Sequence, residues 1–344
     1  MKLLKIILLP ILTVFYIFHY IVLIIRNKLY DYKIFKTYYF NSTKIISVGN
    51  LKFGGTGKTP LVEYLISILP KSKIALLSRG YKRKSSGFLF AQPNHSANEL
   101  GDEINQVSKK NLNLTVAVDE NRVSGVKKII QKSNKKIIIL DDGYQHRKIG
   151  RDLNILVTEY SKLYSNDYLY PLGNLREYRS ESKRADLIVV TKSPKNISNK
   201  EKIYIKNKLS HSNQNIFFSY IKEYTFIHNK EIVKINKKED FFLVTGIANP
   251  NPLIEKMNNM KINFHHFQYN DHHFFKKSEI TYLIKIGQLR SVKNIIFTEK
   301  DFYRLSEDNL NLIKSYFKLY YIQIKFDFIQ EEKSMFNKQI LKFI

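Results

Sequence analysis

The stretch SVGNLKFGGTGKTPLVEYL, residues 47–65, decides the fold. It leaves a β-branched run, turns through Gly54, Gly55 and Gly57, and enters a helical pattern at Lys58. In the pattern G-x-x-x-x-G-K-[ST], backbone amides at a helix N-terminus wrap a phosphate. The lysine reaches the β- and γ-phosphates, and the hydroxyl binds Mg2+. Gly57, Lys58 and Thr59 match the end of that pattern, but Lys52 stands where its first glycine belongs. Gly54 and Gly55 supply the missing backbone freedom. Pro60 sits just inside the helix, where a lost N–H costs little. A strand before, a helix after and Gly-Lys-Thr at the junction favour a nucleotide loop over a plain glycine turn. That loop comprises Leu51, Lys52, Phe53, Gly54, Gly55, Thr56, Gly57, Lys58 and Thr59.

Outward from the loop, short apolar runs alternate with helical patterns. KIISV 44–48, KIALLS 73–78, LTVAV 114–118, KIIIL 136–140, LNILV 153–157 and DLIVVT 186–191 read as strands, with helices at 58–69 and 121–132. Continuous apolar strands between helices indicate a parallel sheet covered on both faces. The fold class is therefore α/β, a P-loop NTPase-type sheet sandwiched by helices. A second set follows: strands IFFSY 216–220, FFLVTG 241–246, NIIFTEKD 294–301 and YYIQIKF 320–326, with helices near 250–258, 277–289 and 307–317. The polar stretch NKLSHSNQN, 207–215, places a boundary there. Three parts result: a hydrophobic helix over 1–35, a P-loop domain over 36–211, and a smaller α/β domain over 212–344 that closes over the site.

A hydrophobic strand ending in Asp141-Asp142, within KKIIILDDGYQHRKIGRD 135–152, has the form of a Walker B element. A carboxylate at that tip reaches the Mg2+ held by the P-loop hydroxyl. GDE 101–103 and PLGNLRE 171–177 carry further carboxylates, which by spacing alone are equally helix caps or surface loops. NDHHFF 270–275 puts Asp271 beside His272 and His273, two imidazoles without a third ligand. A surface loop is the default reading, and a histidine in proton transfer is the other, because its pKa lies near neutrality.

The chain has 344 residues, no cysteine, and 57 Lys+Arg against 30 Asp+Glu, a net charge of +27. Disulfides and thiolate metal sites are excluded. Of the basic residues 46 are lysine and 11 arginine, spread along the chain without an arginine-rich block, so charge does not select nucleic acid. It does suit an anionic membrane surface. Residues 6–25, IILLPILTVFYIFHYIVLII, carry no charged side chain. Twenty residues at about 1.5 Å each match a bilayer core of about 30 Å. Arg26, Lys28, Lys33 and Lys36 follow, against Lys2 and Lys5 before, which keeps the main body cytoplasmic. Tyr16, His19 and Tyr20 lend some polarity, so a helix lying in the interface competes with a spanning one.

The ordered series SVGNLKFGGTGKTP, LSRGY 77–81, GDE 101–103, DENR 119–122, DDGYQHR 141–147, PLGNLRE 171–177, TGIANP 245–250, DHHFF 271–275 and TEKD 298–301 resembles that of the tetraacyldisaccharide 4'-kinases, the lipid A 4'-kinases. Lys82, Ile104 and Tyr178 depart from it, where the family pattern expects Gly, Pro and Pro. The resemblance implies transfer of the ATP γ-phosphate, with Mg2+, to the 4'-hydroxyl of a lipid disaccharide 1-phosphate at the cytoplasmic face of the inner membrane. It implies a catalytic pair in Asp102 and His272, in which a carboxylate accepts the hydroxyl proton and a histidine tunes it. It implies a metal set of Thr59, Asp141, Asp142 and Glu177, and substrate contacts from Arg122 and Arg176. Neither nucleic acid nor an obligate protein partner is implied. The alternative is a membrane-associated P-loop ATPase or GTPase with a regulatory role.

Overall fold

The computed structural model describes residues 2–210 and 214–343. Its strands are β1 (Lys44–Gly49), β2 (Ile74–Ser78), β3 (Leu89–Phe90), β4 (Thr115–Val118), β5 (Ile137–Asp141), β6 (Leu153–Glu159), β7 (Leu187–Thr191), β8 (Asn215–His228), β9 (Glu231–Val233), β10 (Asp240–Thr245), β11 (Asn263–Gln268), β12 (Asn294–Thr298) and β13 (Lys318–Phe328). Its helices are α1 (Lys2–Asp31), α2 (Lys58–Ile68), α3 (Ala97–Leu100), α4 (Asp102–Lys110), α5 (Arg122–Lys132), α6 (Asn199–Leu209), α7 (Asn251–Asn259), α8 (Lys277–Leu289), α9 (Glu299–Arg304), α10 (Glu307–Lys314) and α11 (Gln330–Leu341).

The strands form one sheet in the order β11-β10-β12-β13-β8-β7-β6-β1-β5-β2-β4-β3, with β9 paired to β8. β1 lies between β5 and β6, parallel to both. Its register pairs Val48 with Asp141, so the loop leaving β1 emerges beside the carboxylate tip of β5. Both faces of these strands are covered. Ile46, Val48 and Ile139 pack with α2 on one side, and Ile45, Ile138 and Leu140 pack with α5 on the other. That double burial is why the strands read as unbroken apolar runs.

β8 carries the sheet from one half of the chain into the other. Leu187–Val190 of β7 pair with its start in parallel, and β13 pairs with Ser219–Ile227 antiparallel. The expected boundary at 211/212 lies outside the described residues. The last helix, α11, returns to the first half: Phe336 and Ile340 are fully buried with Ile46, Leu65 and Phe217. Each such side chain contributes about 1.5–3 kcal/mol. Tyr64 of α2 donates to Oδ1 of Asn337 at 2.9 Å, which fixes that docking.

Most elements match the sequence reading to within a few residues. Strands β3, β9 and β11 and helices α3, α6 and α11 do not appear in it: β3 and β9 are two and three residues long, and β11 is a half-exposed NFHHFQ run without a clear apolar side. The run NIIFTEKD stops being a strand at Thr298. Its hydroxyl accepts from the amide of Asp301 and caps α9, so TEKD opens a helix.

α1 is one continuous helix. Along it, Leu23 and Asn27 are buried, while Val14, Phe15, Ile17, Phe18, Ile21, Val22 and Ile25 are exposed. At 100° per residue these seven form a single stripe opposite the buried pair, and Tyr20, also exposed, lies on the side toward the body. Three of the polar residues face the body: His19 Nδ1 lies 2.8 Å from the Tyr170 carbonyl, and Arg26 and Asn27 bond within the protein.

Candidate active site

The phosphate loop turns through left-handed backbone at Gly54 (φ 101°) and Gly57 (φ 87°). A Cβ on Gly54 or Gly55 would meet nothing within 4 Å, so the concave side of the loop is open. α2 starts at Lys58 without a side-chain cap. Its first amides are therefore presented to a ligand. The back of the loop is braced, since Thr191 Oγ1 donates to the Thr56 carbonyl at 2.6 Å and Asn50 Nδ2 to Thr56 Oγ1 at 2.8 Å. Of the three residues expected to lead the loop, Leu51 is a core side chain, Lys52 pairs with Asp167, and Phe53 packs edge-on against Tyr170. They shape the loop through backbone: Arg176 N donates to Leu51 O at 2.6 Å, and Phe53 N to Asn174 O at 2.8 Å.

The tip of β5 meets this loop. Lys58 Nζ lies 3.0 Å from Oδ1 of Asp142. Arg176 grips the same carboxylate with both terminal nitrogens, at 2.8 and 2.9 Å. Burial works against ionising Asp142, but Lys58 and Arg176 outweigh it and hold the carboxyl well below the usual range. Asp141 goes the other way: burial, then the Asp142 charge, push it up to about 6. Arg122 is buried, and its Nη2 lies 3.4 Å from the Asp141 carbonyl. His146, in the turn after β5, is pushed down to about 4 by burial and by the charges of Arg122 and Arg151.

Glu177 is not at this carboxylate pair. It is fully buried between Arg26 of α1, at 3.2 Å, and Arg184. Among the described residues no three His, Asp or Glu side chains converge on one point. Glu177, expected in the metal set with Thr59, Asp141 and Asp142, is thus paired with two arginines in this structure. Glu177 goes to the arginines because a buried carboxylate needs charged partners, and two of them surround it.

The second expected pair is assembled across the two halves. His272 Nδ1 lies 2.5 Å from Oδ2 of Asp102, which starts α4. Gly101, at φ 83°, turns the chain into that helix, and His272 itself sits at φ 63°, a conformation non-glycine residues seldom adopt. Arg304 Nε donates to the same Asp102 oxygen at 2.8 Å, while its Nη1 binds Asp301 at 2.7 Å and the Gly246 carbonyl at 2.9 Å. Burial raises the Asp102 carboxyl, but the His272 bond and the Arg304 charge more than offset it, leaving it below 3.8. Glu103, one residue on, is within electrostatic range of both Asp141 and His272, so the two clusters share one side of the sheet. α4 is gripped along its length by α9: Asn105 donates to Tyr303 O at 2.7 Å, and Lys300 reaches Glu103 at 3.1 Å.

Arg304, Asn50 and Gln145 escape the sequence reading, and Arg26, read there as a charge flanking the apolar segment, turns inward to Glu177. TGIANP and TEKD carried no assigned role there, yet Gly246 and Asp301 hold Arg304. The one available signal was the arginine one helical turn beyond Asp301. Lys82, where the family pattern expects glycine, has φ 59°, so a lysine here occupies the left-handed turn that glycine would take at less cost.

A glycine loop opening α2 against an aspartate-tipped parallel strand, with an Asp–His pair nearby, defines a P-loop phosphotransferase. The family model described as tetraacyldisaccharide-1-P 4'-kinase matches residues 6–344, and the chain belongs to that family. The tetraacyldisaccharide 4'-kinase of Flavobacterium johnsoniae is 42% identical, over 100% of this chain and 98% of its own. That of Phocaeicola vulgatus is 35% identical, over 93% and 91%. The crystal structure of LpxK from Aquifex aeolicus in complex with ATP superposes with a TM-score of 0.75 at 28% identity, covering 99% of each chain. Nothing in these comparisons supports a regulatory ATPase or GTPase.

Proposed function

We propose the following division of labour within this ATP-dependent kinase, which phosphorylates the 4'-hydroxyl of a tetraacyldisaccharide 1-phosphate in lipid A biosynthesis. The amides of Gly54–Thr59 and the ammonium of Lys58 hold the triphosphate. The open cradle over Gly54 and Gly55 and the uncapped start of α2 support that role. Thr59, Asp141 and Asp142 would hold Mg2+. They are hard oxygen donors, and this cation commonly binds one or two carboxylates together with phosphate oxygens. The raised Asp141 pKa marks a carboxylate pair that a cation would relieve. When bound, the ion neutralises charge that builds on the transferring phosphoryl group. Arg176 and Arg122 flank the same carboxylates and supply positive charge for phosphate oxygens.

His272 takes the proton of the acceptor hydroxyl, with Asp102 as its orienting partner. Asp102 is held ionised by two donors on one oxygen, which makes it a weak base. An ionised carboxylate at Nδ1 fixes the proton there and leaves Nε2 as the basic nitrogen. This reverses the roles expected from the sequence while keeping the pair.

α1 rests in the membrane interface with its apolar stripe toward lipid and its polar face on the protein. Both faces are occupied by the chemistry such a placement requires. A cavity of about 300 Å³ between α1 and residues 167–180, walled by Tyr16, Tyr20, Tyr168 and Tyr178, opens beside α1 and would receive part of an acylated acceptor. Lysines near the surface would add about 1 kcal/mol each toward an anionic, cytoplasm-facing leaflet.

The contact that carries this reading is Lys58 at 3.0 Å from Asp142, which joins phosphate loop and metal tip. The test is thin-layer separation after incubation with labelled ATP and a 1-phosphorylated tetraacyl disaccharide. A second phosphate on the lipid, absent with Lys58→Met, is the expected result. A Lys58→Met protein that binds and turns over nucleotide like the parent sinks it.

A further inference from the structure

Arg26 stands at the end of the apolar segment of α1, yet it points into the protein. Its Nη1 lies 3.2 Å from Oε1 of Glu177, and its Nη2 donates to the Gln145 carbonyl. Two paths lead from there to Lys58. On the first, the Gln145 side chain donates to the Asn50 carbonyl at 2.8 Å, and Asn50 Oδ1 accepts from Lys58 Nζ at 3.2 Å. On the second, Glu177 is covalently next to Arg176, which holds Asp142, the partner of Lys58. Arg176 also donates to Asn50 Oδ1, so the two paths close into a ring. Glu177 is fully buried, with Arg26 and Arg184 as its cationic partners. Removing one partner of such a group leaves charge undercompensated, a strongly destabilising change for the segment that carries it.

We propose that Arg26 is a positioning residue for phosphoryl transfer: it ties α1 to the phosphate loop, so that α1 sets the placement of Lys58 and Arg176 and is not merely a tether. A tether would act on how often enzyme and lipid meet. Arg26 acts on the geometry of the reaction, where small displacements of positioned groups cost large factors in rate. The inference rests on the assignment of Lys58 to the triphosphate.

The test uses the full chain and the variants Arg26→Met and Arg26→Lys. Three quantities are read: binding to anionic lipid vesicles, ATP affinity without divalent cation, and kcat and KM for the tetraacyl acceptor in detergent micelles. Arg26→Met is expected to bind vesicles like the parent, to bind ATP more weakly, and to lose about tenfold or more in kcat with KM for the acceptor unchanged. Arg26→Lys, which keeps the charge but not the fork, is expected to recover part of the kcat. Parent-like kcat and ATP affinity in Arg26→Met overturn the proposal, as does a defect confined to KM or to vesicle binding. Should Arg26→Met fail to fold, Arg26→Lys decides: reduced kcat with normal vesicle binding supports the proposal, and parent-like kcat overturns it. A parent protein that transfers no phosphate to the acceptor would instead remove the kinase reading, and ATP affinity would still report on Arg26.

Discussion

Nδ1 of His272 lies 2.5 Å from Oδ2 of Asp102, although 170 residues separate them in the chain. The contact exists because α4 is clamped onto α9 and because Arg304 holds Asp102 from the opposite side. His272→Ala and Asp102→Asn should each lower kcat by about 10²–10⁴, the range for loss of general acid–base help. ATP affinity should not change. Steady-state kinetics beside an ATP titration checks both; parent-like turnover in the two variants would remove the pair from the chemistry.

Gly101 controls where Asp102 sits. Its φ of 83° disfavours any side chain, and a Cβ there would lie 2.8 Å from the Tyr81 carbonyl. Gly101→Ala adds about 1–3 kcal/mol of backbone strain plus that overlap. We expect a loss of kcat with ATP binding intact, since the phosphate loop is elsewhere. Equal kcat would mean that α4 tolerates a shifted start.

His146 gives the fold a pH dependence. Burial, with Arg122 and Arg151, pushes its pKa down to about 4 from 6.5. A depressed folded pKa means that the unfolded chain takes up the proton first. Its contribution is thus complete above pH 6.5 and falls away between pH 6.5 and about 4. With part of the ring exposed to solvent, the change should be on the order of 1–2 kcal/mol. Urea unfolding of parent and His146→Gln across pH 4–7 should show a shallower slope in the variant. Identical slopes would count against it.

The exposed stripe of α1 makes a separable prediction. Phe15→Ser with Phe18→Ser removes two large apolar side chains from the outward face and touches none of the bonds to the body. Vesicle co-sedimentation should weaken by about 3–5 kcal/mol in binding free energy. Turnover of detergent-dispersed acceptor should remain. Unchanged sedimentation would mean that another surface holds the membrane.

The nucleotide-binding half was legible because its signals are local. A β-branched run, two glycines and Gly-Lys-Thr lie within one short stretch, and the Asp141–Asp142 tip ends a run of isoleucines. The ion pairs of Glu177 were not legible for the opposite reason: its partners Arg26 and Arg184 come from a distant helix and a short turn, and such charge pairing leaves no periodicity. Arg304 was invisible on the same grounds. The polarity of His19 and Arg26 was visible, but whether those side chains meet water, lipid or protein depends on what docks against α1. β11 was missed because its alternation is too weak to mark a face.

β8 belongs to both halves of the molecule at once, hydrogen-bonded to β7 at its start and to β13 beyond. We expect a shared ribbon of this kind to behave as a spine and not as a pivot. Limited proteolysis of the folded protein should nick loops without releasing two independently stable fragments, and adjustment around the lipid should be confined to side chains, connecting loops and the twist of the sheet.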